Sequence, residues 1–183
     1  MKKFAKYSDE ELMTLMSVGR KESEQAFSEI YARYSQKIYA YCLRVLESEE
    51  DAYDVFQDTF VKFYETYKNN SGLQNITGML IRISRNLCLN YKRNRKSEIE
   101  FDELLMPVDD SSFEDKELVE LIGTALKQID FELREVFILR LYEGLSYSEI
   151  SDLVGLNLST VKNRFFRAKD KLKQILQPYL EEM

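Results

Sequence analysis

The chain has no histidine and no tryptophan, and its 183 residues include only two cysteines, two prolines and six glycines. Without histidine, every Ser-His and Cys-His nucleophile device is excluded, as are histidine-containing zinc sites and the side chain that most often exchanges protons near neutral pH. Two cysteines are too few for a structural zinc site. Cys42 and Cys88 each fall inside an apolar helical pattern, where a free thiol behaves as a small hydrophobe, and no disulfide is expected. The scarcity of glycine and proline argues against an all-β chain, which needs many more turn residues. No run approaches the roughly 18 apolar residues of a membrane span, and residues 1–20 lack the basic-then-apolar layout of a secretory signal. A cytoplasmic protein without membrane insertion is therefore expected, with no metal, no cofactor and no catalytic constellation.

What the chain does have is charge, unevenly placed. The formal net charge is −6, an average that hides three blocks. Residues 1–96 carry 16 basic and 13 acidic side chains, residues 97–123 one basic and ten acidic, and residues 124–183 nine of each. Within the outer blocks the basic residues cluster again. Arg82, Arg85, Lys92, Arg93, Arg95 and Lys96 follow one another with no acid between them, and Lys162, Arg164, Arg167, Lys169, Lys171 and Lys173 are opposed only by Asp170. Two basic helices flanking an acidic connector is the pattern of a nucleic-acid binder in two parts.

Periodicity and caps give an all-α chain of two small helical domains, 1–96 and 117–183, joined by a flexible acidic linker, 97–116. Ser8 with Glu11 forms a capping box before Leu12, Met13, Leu15 and Met16, and Gly19 is expected to end that short helix at C′. A second helix starts near Glu22 with Phe27, Ile30, Tyr31, Tyr34, Ile38, Tyr41, Cys42 and Val45 on its apolar face. Ser48, with Asp51 three residues on, starts a third that buries Ala52, Phe56, Phe60, Phe63 and Tyr67. Residues 68–75 read as a loop. A fourth helix over 76–95 is expected to bury Ile76, Met79, Leu80, Ile83, Leu87 and Tyr91. In the second domain a helix spans 116–129, Asp130 caps a helix over 131–143 closed by Gly144, and Ser146 with Glu149 boxes a helix to about Val154. After Gly155, Asn157 caps a last helix to about Leu176.

The segment 146–172 has helix-turn-helix spacing, with Val161 buried six residues beyond Gly155. The second helix of such a unit lies in the DNA major groove. Ser159, Thr160, Lys162, Asn163, Phe166 and Arg167 form its outer side. Asn163 suits an adenine edge, Lys162 and Arg167 a guanine or a phosphate, and Phe166 a thymine methyl. On the fourth helix, Arg82, Arg85, Asn86, Leu89 and Arg93 share an arc of about 100° beside the buried stripe. Arginines for phosphates and an amide for the edge of an unstacked base suit a single strand better than a duplex. On the third helix, Asp54, Gln57, Asp58, Val61 and Glu65 lie opposite the core, a face fit for a basic protein partner. Each face also has a plainer reading as a solvated helix side. A dimeric helix-turn-helix regulator and an RNA-binding helical scaffold remain compatible with the residues alone.

Nearly the whole chain resembles the extracytoplasmic-function sigma factors of the sigma-70 family. Ala26-Phe-Ser-Glu-Ile-Tyr-Ala-Arg-Tyr34 with Glu50-Asp-Ala-Tyr-Asp-Val-Phe-Gln-Asp-Thr-Phe60 is similar to the family's region 2.1–2.2, and Ile76 through Asn86 to Arg93 is similar to regions 2.3–2.4. Arg134-Glu-Val-Phe-Ile-Leu-Arg140, Glu143-Gly-Leu-Ser-Tyr-Ser-Glu-Ile150 and Thr160-Val-Lys-Asn-Arg164 are similar to region 4. The resemblance implies a factor that directs bacterial core RNA polymerase to promoters. It implies polymerase binding by Asp54, Gln57 and Asp58 with Val61 adjacent. It implies capture of the melted minus-10 strand by the loop 68–75, with Asn69 and Asn70, and by Arg82, Arg85, Asn86, Asn90 and Arg93. Minus-35 duplex reading falls to Ser159, Thr160, Lys162, Asn163, Arg164, Phe166 and Arg167. It further implies an acidic linker passing through the polymerase's basic channel, restraint by an anti-sigma factor, and a monomer when free. Two departures stand out: Met79 occupies the position of the family's usual tryptophan, and Ile129-Asp130 that of a usual Leu-Pro.

Overall fold

Helix ends chosen by side-chain caps and helix faces chosen by burial account for the architecture. The computed structural model describes residues 4–69, 75–95 and 121–181, and every regular element among them is a helix. In order these are α1 (Asp9–Met16), α2 (Arg20–Leu46), α3 (Glu49–Asn69), α4 (Ile76–Arg95), α5 (121–127), α6 (Phe131–Leu141), α7 (Tyr147–Val154) and α8 (Leu158–Glu181). They belong to two compact units, Met1–Asp102 and Glu103–Met183. The expected linker 97–116, Asn70 and the side chain of Asn69 lie outside the described residues.

In the first unit, Ser8 and Glu11 make the expected reciprocal box at the start of α1. Gly19 does not end that helix. Ser17 is its C-cap, and Gly19, with extended backbone, is the N-cap of α2, which therefore starts two residues earlier than expected. Two consecutive helices share a three-residue turn here, so one residue serves the second helix rather than the first. Arg33 ties this corner together: its guanidinium meets Glu29 at 2.9 Å, Asp9 at 3.2 Å and the Tyr7 carbonyl at 2.8 Å. Ser48 accepts the Asp51 N–H at the start of α3, and the whole expected stripe of α3, Ala52 to Tyr67, is buried.

α2 packs on α1, α3 and α4, and α3 packs on α4. Leu12, Ile30, Ile38, Tyr41, Phe63, Ile76, Leu80 and Ile81 are fully buried between them. Burying aromatics and aliphatics of this size contributes about 1.5–3 kcal/mol for each side chain. Along the α2–α3 seam the rings of Phe27, Tyr31, Tyr39, Phe56 and Phe60 meet at centroid separations of 4.9–6.3 Å. Both cysteines are buried in this core.

α4 has its expected span but not its expected orientation. Its buried side is Ile76, Leu80, Ile81, Ser84 and Cys88, whereas Met79, Ile83, Leu87 and Tyr91 are half-buried. At 100° per residue the buried arc is turned by about 70° from the one expected. The cause is that α4 seats against α2 and α3 at once. Ser84 enters this core because its hydroxyl donates to the Ile81 carbonyl at 3.1 Å, so a residue that hydropathy counts as polar is buried without an unmet hydrogen bond. Asn75 caps α4 by accepting the Gly78 N–H at 2.8 Å.

In the second unit, α6 packs on α8 and α7, and Leu133 through Leu139 are all buried, Arg134 and Glu135 among them. Asp130 occupies the N-cap position but makes no side-chain cap. Its carboxylate takes the Lys171 ammonium of α8 at 2.6 Å instead. α6 stops at Leu141, two residues short of expectation, and the chain then turns at Gly144 with φ 73°. α8 runs five residues further than expected. Pro178 lies inside it, one turn before its end, and only three helical residues follow.

Candidate functional site

The turn between α7 and α8 is fixed by local chemistry. Ser146 and Glu149 box the start of α7, and Gly155 ends it in the left-handed region at φ 70°. The Ser151 carbonyl accepts from Gly155 at 3.0 Å and from Leu156 at 3.2 Å, and its hydroxyl donates to the Leu156 carbonyl. Asn157 Oδ1 then accepts the Thr160 N–H at 2.8 Å and the Ser159 hydroxyl at 2.7 Å. Val161 is wholly buried under the turn, as the spacing predicts. Phe165 stacks on Phe137 of α6 at 5.9 Å.

This packing turns a defined set of side chains outward. Lys162, Asn163, Phe166 and Arg167 are exposed, Phe166 at 55% beside a Phe165 at 7%. Ser159 is exposed with its hydroxyl proton spent on Asn157, and Thr160 is half-buried. Arg164 is also half-buried: its guanidinium is paired with Glu132 at the start of α6 at 2.5 Å. It therefore ties α8 to α6 as well as standing beside the outer face. Two residues that spacing did not single out belong here. The Tyr147 ring lies 4.9 Å from the Arg140 guanidinium and 5.9 Å from the Lys162 ammonium, and Arg140 also donates to the Leu145 carbonyl at 2.9 Å. Cation–aromatic pairing of this kind is invisible in a pattern read one helix at a time.

On α4, Arg82, Asn86, Asn90 and Arg93 are exposed and Arg85 and Leu89 half-buried. Because the buried arc is turned, this set lies nearly opposite the core rather than beside it. Arg93 donates to Asn90 Oδ1 at 3.1 Å, a bond that uses the amide's acceptor and none of its N–H donors. On α3, Asp54, Gln57, Asp58 and Glu65 are exposed around Val61, itself 56% exposed. Tyr53, 54% exposed, borders this face and was not anticipated.

The electrostatics differ by position. Lys171 holds the Asp130 carboxyl below its ordinary range. The Ser146 cap, donating from side chain and backbone, does the same for Glu149. Among the described residues there is no cluster of three metal-ligating side chains, and no helix is long and apolar enough to cross a membrane.

Comparison with known proteins gives a consistent pattern. Residues 30–98 match the family model described as Sigma-70 region 2, and residues 120–172 match that described as Sigma-70, region 4. The chain is 28% identical to the RNA polymerase sigma-H factor of Pseudomonas aeruginosa, over 95% of this chain and 96% of the relative. It is 25% identical to the ECF RNA polymerase sigma factor SigW of Bacillus subtilis, over 86% and 92% respectively. Its fold is similar to that of the sigma factor RpoE of Bartonella quintana, solved with the anti-sigma factor NepR, with a TM-score of 0.71 at 21% identity, covering 86% of this chain and 98% of that one.

Proposed function

The chain belongs to the sigma-70 family, among its extracytoplasmic-function factors, and on that premise we propose that it serves as an alternative sigma factor with three separate binding faces. The acidic face of α3, Asp54, Gln57 and Asp58 around Val61, docks on core RNA polymerase. The outer side of α8 reads the minus-35 duplex, with Lys162 and Asn163 at base edges, Phe166 against a methyl group and Arg167 on base or phosphate. The α4 face takes the melted minus-10 strand: Arg82, Arg85 and Arg93 meet phosphates, and Asn86 and Asn90 meet base edges. Asn69 and Asn70 contact the same strand in this reading.

The domain limits are 1–96 for polymerase and minus-10 binding, 97–116 for the acidic linker and 117–183 for minus-35 binding. The protein works in the cytoplasm, is a monomer when free and makes no bond itself; polymerisation belongs to the core enzyme. An anti-sigma factor restrains it by covering these faces; the similar RpoE of Bartonella quintana is solved in complex with the anti-sigma factor NepR. The observation that carries the reading is the outward side of α8. Four residues with base- and phosphate-binding chemistry stand exposed on a helix whose start is fixed by the Asn157 cap and whose inner side is locked by Val161 and Phe165.

The test is selection from a random duplex library by the purified chain with core polymerase. Enrichment of fragments with two separated elements, and transcription from them that needs both proteins, is the expected result. Enrichment of a palindrome by the chain alone would favour a free-standing regulator instead.

A further inference from the structure

Past Cys88 no residue of α4 through position 94 is fully buried: Leu89, Tyr91 and Lys92 are half-buried, and Asn90, Arg93 and Asn94 are exposed. Asn90 and Arg93 stand on this stretch, so burial alone does not fix their direction. Across the α3–α4 contact lies the first turn of α3. Asp51 there is 5% exposed, and its carboxylate accepts a hydrogen bond from the Tyr91 hydroxyl at 2.5 Å, joining residues 40 apart in sequence. A phenol donating to an ionised acceptor is stronger than a neutral pair, and a carboxylate in the first turn of a helix is favoured by the helix dipole. Asp51 precedes the face of Asp54, Gln57, Asp58 and Val61 by a single turn.

We propose that Tyr91 and Asp51 are a positioning pair, which fixes the strand-reading end of α4 to the polymerase-docking helix α3. Docking of α3 then also orients Asn90 and Arg93, and promoter opening depends on the pair while polymerase binding does not. The inference rests on the proposed roles of α3 and α4.

Tyr91→Phe keeps the ring and removes the donor. The full chain is assembled with core polymerase on a promoter fragment selected by the wild-type holoenzyme. Polymerase co-elution and low-temperature duplex binding are expected to stay within about twofold of wild type, while the opening rate, read by permanganate reactivity of unpaired thymines, falls about threefold to tenfold. Asp51→Asn, whose amide oxygen still accepts the phenol proton, is expected to open faster than Tyr91→Phe. Opening at the wild-type rate in Tyr91→Phe overturns the inference. So does an equal loss of co-elution, duplex binding and opening, which is the mark of general destabilisation. Failure of the wild type itself to co-elute removes the underlying reading, a result distinguishable because it appears before any variant is compared.

Discussion

The basic faces of α4 and α8 carry similar residues and are built in different ways. α4 is 20 residues long and takes its orientation from burial against α2 and α3, with Leu80, Ile81 and Ser84 wholly enclosed. α8 likewise buries Val161, Phe165, Ala168 and Leu172, and its outer face is in addition registered by the turn before it, with Gly155 and the Asn157 cap, and by two ion pairs, Arg164 with Glu132 and Lys171 with Asp130. Packing supplemented by a cap and ion pairs gives the α8 face a fixed register relative to a short turn, which suits reading the edges of an intact duplex. The α4 face, set by burial against two helices, presents arginines and amides along one side, which suits following a displaced strand.

The largest effects separate the two modes of construction. Phe63→Ala removes a wholly buried ring from the first unit and is expected to cost about 3–5 kcal/mol in denaturant unfolding. Next in size is base discrimination. Asn163→Ala is expected to change preference at one upstream position by about 1–3 kcal/mol, whereas Arg82→Ala weakens binding evenly across sequences, as competition among mismatched templates would reveal. An even loss from Asn163→Ala would erase the distinction between the faces. Asn157→Ala is expected to cost about 1 kcal/mol through loss of a cap, measured by thermal unfolding.

The smallest effect is that of pH, and it belongs to the second unit. The carboxyls of Asp130 and Glu149 are both held below their ordinary range. Their contributions are present at neutral pH, above the unfolded-state values, and are lost as pH falls through the folded-state values, from about pH 4 downward. Thermal melts between pH 7 and pH 3 should show Glu149→Gln losing less on acidification than wild type. Equal losses would place the acid sensitivity elsewhere.

How much was legible in sequence follows the same division. The α7–α8 unit could be read residue by residue because Ser146, Glu149, Gly155 and Asn157 act within a few positions of themselves. The existence of the first unit's helices was also readable, as was the α3 stripe, since alternation of Phe and acid along α3 leaves one apolar side; their ends were less so, as α2 starts at Arg20 and α3 runs through Asn69 into the expected loop 68–75. The rotation of α4 was not, because it depends on two neighbouring helices and on a serine that satisfies its own hydroxyl inside the core. Gly19 and Asp130 were placed by residue type alone. Each has a competing use, the N-cap of α2 for one and Lys171 for the other, that only the folded chain reveals. Tyr147, Tyr53 and the second role of Arg164 escaped for a similar reason: their significance lies in partners on other helices.

The account stands on α3 as the docking face, and the most direct test is size-exclusion co-elution with bacterial core RNA polymerase. Wild type is compared with a variant carrying Asp54→Arg and Asp58→Arg, both exposed positions, so that folding, checked by circular dichroism, is expected to be unchanged. Reversal of charge at a complementary interface costs several kcal/mol. Stoichiometric co-elution of wild type, lost in the folded variant, is the result predicted. Co-elution of both proteins alike, or of neither, would contradict it.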